Sequence, residues 1–194
     1  MSRPREFDPD EVLERSMQAF WERGYRETSV DDLVRLTGVK PGSLYNAFPG
    51  GKHELFLRAL RLYSKLVVPQ KMGELDEPGA GLAELRAYFD GLIADLLSPE
   101  GRMGCLMVNS TMELAAEDSA VGGLVRGHMA RLKRNAERSL RTAQERGEIP
   151  AHIDPAAKAT QLMATGMGLM VVGKTNPGKE VLQTIVDTAF ADLA

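Results

Sequence analysis

Residues 28–48 constrain the fold of this chain more than any other stretch, because they encode two short helices joined by a tight turn. Ser29 is placed to cap the first helix, since its hydroxyl can accept a hydrogen bond from a backbone N–H of the first turn. Gly38 is expected to end that helix in the left-handed conformation, which glycine adopts without strain. Pro41 suits the start of the second helix, where its missing N–H removes no helical hydrogen bond. The pattern predicts a helix-turn-helix motif over residues 29–48.

The second helix of this motif has an apolar face and a polar face. Leu44 and Phe48 are four residues apart, which predicts one buried stripe. The opposite face carries small and polar side chains of the kind that enter a DNA major groove: Gly42, Ser43, Tyr45 and Asn46. An ordinary helical hairpin fits the spacing equally well. Lys40 favours the DNA interpretation, because a cation at a helix N-terminus is unfavourable unless an anion such as phosphate lies beside it.

The same region closely resembles the DNA-binding signature of the tetracycline-repressor (TetR/AcrR) family of transcriptional regulators. The resemblance covers residues 8–62 and rests on a spaced set of identities: Phe20, Gly24, Tyr25, Thr28, Gly38, Val39, Gly42, Ser43, Leu44, Tyr45, Phe48 and Lys52. Two departures stand out. Lys40 occupies a position where the family often has a serine cap, and the link of residues 49–51 is one residue longer than usual before the lysine.

The resemblance implies roles for particular residues in binding operator DNA. Thr28 and Ser29 are expected to contact the DNA backbone at the start of the second helix, and Tyr45 and Lys52 are expected to bind phosphates. The residues expected to face the groove are Lys40, Pro41, Gly42, Ser43 and Asn46.

Periodic apolar residues and capping signals predict about nine helices and an all-α fold. A three-helix DNA-binding domain is expected over residues 1–50, and a helical ligand-sensing and dimerisation domain over residues 67–194. Helix 4, over residues 51–66, is expected to connect them and to end before Pro69. Its apolar side chains Phe56, Leu62 and Leu66 are expected to pack on both halves.

Composition narrows the class of protein. The chain has 194 residues, 43% of them hydrophobic, with 24 Lys and Arg against 27 Asp and Glu. A net charge of −3 argues against a protein coated in basic surface for indiscriminate nucleic-acid binding. The single cysteine, Cys105, excludes an internal disulfide framework and fits a reducing cytosol. No apolar run approaches the ~18 residues of a membrane span, so we expect a cytoplasmic protein without a membrane partner.

The predicted eighth helix is apolar around its whole circumference over its second half, which predicts that a partner covers it. Gly166 and Gly168 would permit close approach of another helix. The family resemblance implies a homodimer in which the last two helices pair with their two-fold mates. The interface residues expected on this basis are Met170, Val171, Leu182, Ile185, Val186 and Ala189.

The sequence offers no constellation typical of an enzyme. The three histidines lie on different predicted elements, and metal-ligand spacings, phosphate loops and serine elbows are absent from the sequence. We therefore predict no catalytic residue, metal or cofactor. Asn109 and Glu113, four apart on an apolar helix, either line a ligand cavity, or are exposed at the surface or hydrogen-bonded to each other. The predicted cavity residues are Phe89, Leu92, Cys105, Asn109, Met112, Glu113, Met163 and Met167.

These features favour a DNA-binding repressor that a small-molecule effector releases from a palindromic operator. Two alternatives stay open at this point. One is an all-α protein or enzyme whose helical cavity binds a ligand or performs chemistry, and the other is a DNA-bound regulator controlled by a protein partner. Cys105 fits either a small buried hydrophobe or a thiol sensor.

Overall fold

The computed structural model describes residues 7–193, apart from the side chain of Glu100, and the regular secondary structure of this part of the chain is all helical. Nine α-helices follow one another there: α1 (Pro9–Arg23), α2 (Val30–Thr37), α3 (Pro41–Ala47), α4 (Gly51–Met72), α5 (Leu82–Leu97), α6 (Leu106–Glu113), α7 (Ser119–Glu145), α8 (Pro155–Gly173) and α9 (Lys179–Phe190). Short 3-10 turns extend the chain after α4, α5 and α9. The all-α prediction is confirmed for these residues, while residues 1–6 of the expected DNA-binding domain lie outside the described part.

The first three helices pack against the start of α4 around aromatic side chains. Phe20 of α1 is fully buried, and its ring meets that of Phe56 edge to face with the centroids 5.0 Å apart. Leu44 and Phe48 are buried in the same cluster, as their spacing predicts. This small aromatic core fixes α2 and α3 on a rigid base.

Helix α4 is longer than the sequence predicts, because Pro69 lies inside it and the helix continues to Met72. Proline removes one helical hydrogen bond and crowds the preceding turn. The residues flanking it, Val68 and Met72, are buried, and their burial offsets that cost. Leu66, in contrast, is 39% exposed, so the expectation that it packs on both halves is wrong.

The remaining helices form the larger part of the molecule, with α7 and α8 packed side by side and α5 and α9 against them. Phe89 of α5 and Phe190 of α9 meet edge to face in its core. None of the helices over residues 7–193 is long and apolar enough to cross a membrane.

Candidate DNA-binding surface and regulatory cavity

The turn between α2 and α3 is built as the sequence predicts. The Ser29 hydroxyl accepts a hydrogen bond from the backbone N–H of Asp32 at 3.0 Å, and the Asp32 carboxylate accepts one from the Ser29 N–H at 3.0 Å. The Ser29 hydroxyl, which donates to the Asp32 carboxylate at 2.6 Å, and then the Ser29 N–H lower the pKa of Asp32 to about 2. Gly38 ends α2 with a φ of 71°, and its N–H donates to the carbonyl of Val34 at 2.9 Å. Capped at both ends, α2 holds α3 at a defined angle.

One face of α3 is open to solvent. The predicted groove-facing residues all lie on it, with Ser43 half-buried and the others exposed: Lys40, Pro41, Gly42 and Asn46. Tyr45 is 47% exposed on the same helix. Leu44 anchors the opposite face in the core. The helix therefore presents small and polar groups outward on a fixed base.

The link between α3 and α4 brings Tyr45 against Gly51. A side chain at position 51 would place its Cβ 3.1 Å from Cε1 of Tyr45, and Gly51 has a φ of 62° that favours glycine. Lys52 follows, and its ammonium lies 4.1 Å from the centroid of the Tyr25 ring. Burial lowers the pKa of Lys52 there. Gly51 thus accommodates the extra residue of the link. The Lys52 ammonium packs over the ring of Tyr25, just after the end of α1.

Thr28 is not available to DNA in this structure, which corrects the role expected of it. Its side chain is fully buried, and its hydroxyl donates to the carbonyl of Gly24 at 2.7 Å. A buried hydroxyl needs such a partner. Thr28 therefore fixes the turn between α1 and α2, and Ser29 beside it remains exposed.

Glu113 binds the backbone just after α1 and does not line the main cavity. Its carboxylate accepts hydrogen bonds from the backbone N–H groups of Tyr25 at 2.9 Å and Arg26 at 2.6 Å. Gly24 makes this approach possible, since it has a φ of 88° and a Cβ there would lie 3.0 Å from Oε2 of Glu113. Glu113 therefore binds the backbone of the DNA-binding half and does not line the cavity.

Further polar contacts join the halves, among them an exposed ion pair between Arg26 and Glu117 at 2.7 Å. The indole N–H of Trp21 donates to the carbonyl of Gly104 at 2.9 Å. Nε2 of His53 lies 2.5 Å from Oδ2 of Asp118, the residue that caps α7, and this bond lowers the pKa of Asp118. We call the three contacts made by Glu113, Trp21 and His53 the interdomain bridge.

A cavity of about 260 Å³ lies among α1 and α4 to α8. Three of the predicted residues line it: Leu92, Cys105 and Met167. Its other walls come from helices far apart in sequence, and the polar or aromatic side chains among them are Trp21, Tyr63, Tyr88, Lys71, Asp95, Ser98 and His128. No local pattern brings such residues together, so the sequence does not predict that they share a cavity.

The other predicted cavity residues lie elsewhere. Phe89 is fully buried in the core, and Met163 packs half-buried against that core. Asn109 donates to the carbonyl of Met103 at 2.8 Å and accepts from Nζ of Lys174 at 2.9 Å. Met112 is 77% exposed. Because α6 packs between α1 and α8, Asn109, Met112 and Glu113 line a separate surface depression and not the cavity.

The charged side chains in the cavity wall are paired with each other, and the titratable ones beside them are neutral. Lys71 and Asp95 form an ion pair, with their side chains 31% and 47% exposed. The Tyr63 hydroxyl lies 3.6 Å from Sγ of Cys105. Burial, with Arg131 as a lesser cause, lowers the pKa of His128 from 6.5 to about 4. The cavity wall therefore carries no unpaired charge at neutral pH among the residues described.

The neutral His128 predicts a pH-dependent stability. The unfolded chain takes up a proton below pH 6.5 and the folded chain only near pH 4. Lowering the pH from 7 to 5 should therefore reduce the free energy of unfolding by about 2 kcal/mol through this residue alone. Urea denaturation at the two pH values measures the loss. His128→Phe should remove that part of it and the exposed His152→Phe should not; equal pH dependence in all three proteins would contradict the assignment.

The expected dimer surface needs revision. Leu182, Val186 and Ala189 are buried within the protomer, and Met170 is buried beside the cavity, so these four do not face outward. The face that α8 and α9 leave half or fully exposed bears no charged side chain along its centre: Ala164, Thr165, Gly168, Val171, Val172, Val181, Thr184, Ile185 and Thr188. Val171 and Ile185 of the predicted set belong to it.

Over the described residues, no group of three or more His, Cys, Asp or Glu side chains is arranged to hold a metal ion.

Two family models match the chain in succession. The model described as bacterial regulatory proteins, tetR family, matches residues 12–59. The model described as tetracyclin repressor-like, C-terminal domain, matches residues 81–188, more than half of the chain.

Whole-chain relatives agree with these matches. The HTH-type transcriptional repressor ComR of Escherichia coli (strain K12) is 30% identical over 189 residues, which cover 97% of this chain and 90% of ComR. The uncharacterized HTH-type transcriptional regulator YezE of Bacillus subtilis (strain 168) is 29% identical over the full length of both chains. A cysteine mutant of the TetR family transcriptional regulator CifR, solved with 26-bp double-strand operator DNA, superimposes with a TM-score of 0.83 at 29% identity, with all of both chains covered.

Proposed function

The chain belongs to the TetR family of DNA-binding transcriptional regulators, and from this premise we propose that it is a homodimeric cytoplasmic repressor released from a palindromic operator by a small molecule. The observation that carries the DNA-binding role is the exposed polar face of α3 on its capped helix-turn-helix. The CifR mutant of the same fold was solved with operator DNA, which supports a DNA-binding role for this chain.

The candidate DNA-contacting residues of α3 and of the start of α4 divide by what they offer to DNA. Ser43 and Asn46 carry short hydrogen-bonding groups suited to base edges in a major groove. Tyr45 and Lys52 lie toward the α4 end of the motif, where a hydroxyl and an ammonium suit phosphate oxygens. Lys40, with no side-chain hydrogen bond at the start of α3, adds a cation there. Base contacts then set sequence preference, and phosphate contacts set register and salt dependence.

Substitutions should separate these two roles. Lys52→Ala and Tyr45→Phe should weaken binding similarly on all sequences, and Lys52→Ala should lower the slope of log affinity against log salt by about 1. Ser43→Ala and Asn46→Ala should change the preferred bases at a cost of about 1–3 kcal/mol on the operator. Operator selection, followed by retardation assays at several salt concentrations, measures both effects. Unaltered affinity and preference in all four variants would remove α3 from the interface.

The exposed face of α8 and α9 supports the dimer. An uncharged patch of small and apolar side chains on two adjacent helices is suited to pairing with its own copy about a two-fold axis. Gly168 lies near its centre, and a Cβ there would meet nothing within 4 Å in the protomer. Such a face permits the close helix approach of a four-helix interface.

The cavity and the interdomain bridge share residues, which supports control by a ligand. Trp21 and Gly104 both line the cavity and are joined by the 2.9 Å hydrogen bond of the bridge. A molecule that fills the cavity presses on this bond, and thereby on α1. Because a ligand shifts an equilibrium only through differential affinity, a tenfold release of operator needs about 1.4 kcal/mol of preference for the DNA-free form.

Glu113→Ala tests whether the bridge carries this coupling. Loss of both acceptors for the backbone of Tyr25 and Arg26 should reduce the ligand-induced change in operator affinity at least threefold, while ligand affinity for the free protein stays within twofold. Titrations of ligand with and without operator measure the coupling. Glu117→Ala is the comparison variant: it removes another contact between the same halves, the exposed ion pair to Arg26, and should change the coupling little because exposed pairs contribute little. Full coupling in the Glu113 variant would place the connection elsewhere.

A further inference from the structure

We propose that the cavity selects an uncharged single-ring molecule that carries one hydrogen-bonding group, such as a hydroxyl, paired with the imidazole of His128. The inference rests on the proposed function and names the class of effector. Three properties of the cavity carry it: its volume, the charges on its wall and the unpartnered imidazole nitrogen of His128.

The volume limits the size of the ligand. A protein cavity of ~150 Å³ holds a benzene molecule, so the present 260 Å³ suits a ligand of about ten non-hydrogen atoms. The aromatic side chains of Trp21, Tyr63 and Tyr88 form part of the wall. Such walls favour a planar ring, which stacks or packs edge-on against them. A one-ring compound with a short substituent fills this space.

The wall offers no partner for a charged ligand. Lys71 and Asp95 already pair with each other. Burial keeps His128 neutral, and it raises the pKa of the Tyr63 and Tyr88 hydroxyls so that both stay protonated. An ion that entered would lose its hydration without a free counter-charge. The cavity therefore excludes carboxylates and ammonium ions of the same size.

His128 supplies the polar contact. Its Nδ1 is buried and has no hydrogen-bond partner among the residues that the structure describes. A buried polar atom in this condition marks a place where a ligand or water is needed to complete the bonding. The Tyr63 hydroxyl is directed at Cys105, at 3.6 Å, and is already used. A ligand hydroxyl can either donate to the imidazole or accept from it, so it suits either tautomer.

Three probes of matched shape test the proposal on the full-length protein without DNA: 4-ethylphenol, its apolar analogue 4-ethyltoluene and the charged 4-methylbenzoate. Trp21 is the only tryptophan and lines the cavity, so its fluorescence reports binding, and calorimetry confirms the stoichiometry. We expect 4-ethylphenol to bind at least tenfold more tightly than either of the others at pH 7.5. Equal or tighter binding of 4-methylbenzoate would overturn the proposal.

His128→Phe then isolates the polar contact. The variant should lose at least fivefold in affinity for 4-ethylphenol and keep its affinity for 4-ethyltoluene within twofold, which also shows that its cavity remains folded. His152→Phe, at an exposed position, should behave as the parent protein. Unchanged 4-ethylphenol affinity in the His128 variant would refute the contact. Operator retardation with 4-ethylphenol separates the two proposals, because selective binding without release would defeat the effector-controlled repressor and leave the ligand class standing.

Discussion

Gly168→Glu is expected to dissociate the dimer and to lower operator affinity at least a hundredfold while each protomer stays folded. Gly168 lies on the exposed face of α8, where an added Cβ meets nothing within 4 Å. Replacing a helical glycine stabilises the isolated helix by a few tenths to about 1 kcal/mol. In the dimer, however, the new carboxylate would be buried against an apolar copy of the same face, at a cost of several kcal/mol. A single protomer can contact only one half-site of a palindromic operator.

Sedimentation velocity at micromolar concentration measures the dissociation, and circular dichroism checks the fold. Gly127→Glu is the matched control, because Gly127 is also an exposed helical glycine with nothing within 4 Å of an added Cβ. It lies on α7, whose exposed side carries Arg126 and Arg134. A dimeric Gly168→Glu protein with full operator affinity would move the interface away from α8 and α9.

Gly42→Glu is expected to abolish binding to operator and to random DNA, with at least a hundredfold loss, and to leave the dimer intact. Gly42 is exposed in the first turn of α3, and an added Cβ there meets no atom within 4 Å. A carboxylate in the first turn of a helix is favourable for the helix itself. Against DNA it faces phosphates and base acceptors, where a negative charge repels.

Gly42→Gln separates charge from size at this position, since it has nearly the same shape without the charge. Retardation assays and sedimentation of both variants give the comparison. We expect the glutamine variant to retain part of its affinity and to show an altered preference for operator sequences. If the glutamate variant bound operator as the parent does, the α3 surface would not be the contact, whatever the state of the dimer.

Local signals predicted the DNA-binding half well. The cap at Ser29, the end of α2 at Gly38 and the buried pair Leu44 and Phe48 all depend on residues within a few positions of one another, and the structure confirms each of them. Thr28 was the exception. Its hydroxyl is used by a carbonyl four residues back, a bond that competes with exposure and that no periodicity reveals.

The regulatory half was predicted less well, because its features depend on packing between distant segments. The apolar run of α8 predicted an interface, yet Met170 faces the cavity and the exposed side is set by how α7 packs on α8. Glu113 is polar on an apolar helix, which signalled an inward partner. That partner is the backbone of Tyr25 and Arg26, nearly ninety positions earlier in the chain, and only the fold brings them together.

Pro69 lies near the C-terminal end of α4, so the rest of the helix can tilt as one rod about that point. The helical hydrogen bond missing at this residue makes the last turn of α4 the place where the rod bends most easily. From Pro69 to Gly51 the helix rises about 27 Å, so a tilt of about 5° at the pivot displaces the far end by about 2 Å. In a two-fold dimer both arms would swing at once, which doubles the change in spacing between the two copies of α3. In the proposed dimer, a small shift at the cavity would thereby be enlarged to the scale of a base-pair step, and the 2.5 Å contact of His53 with Asp118 near the far end would have to give way.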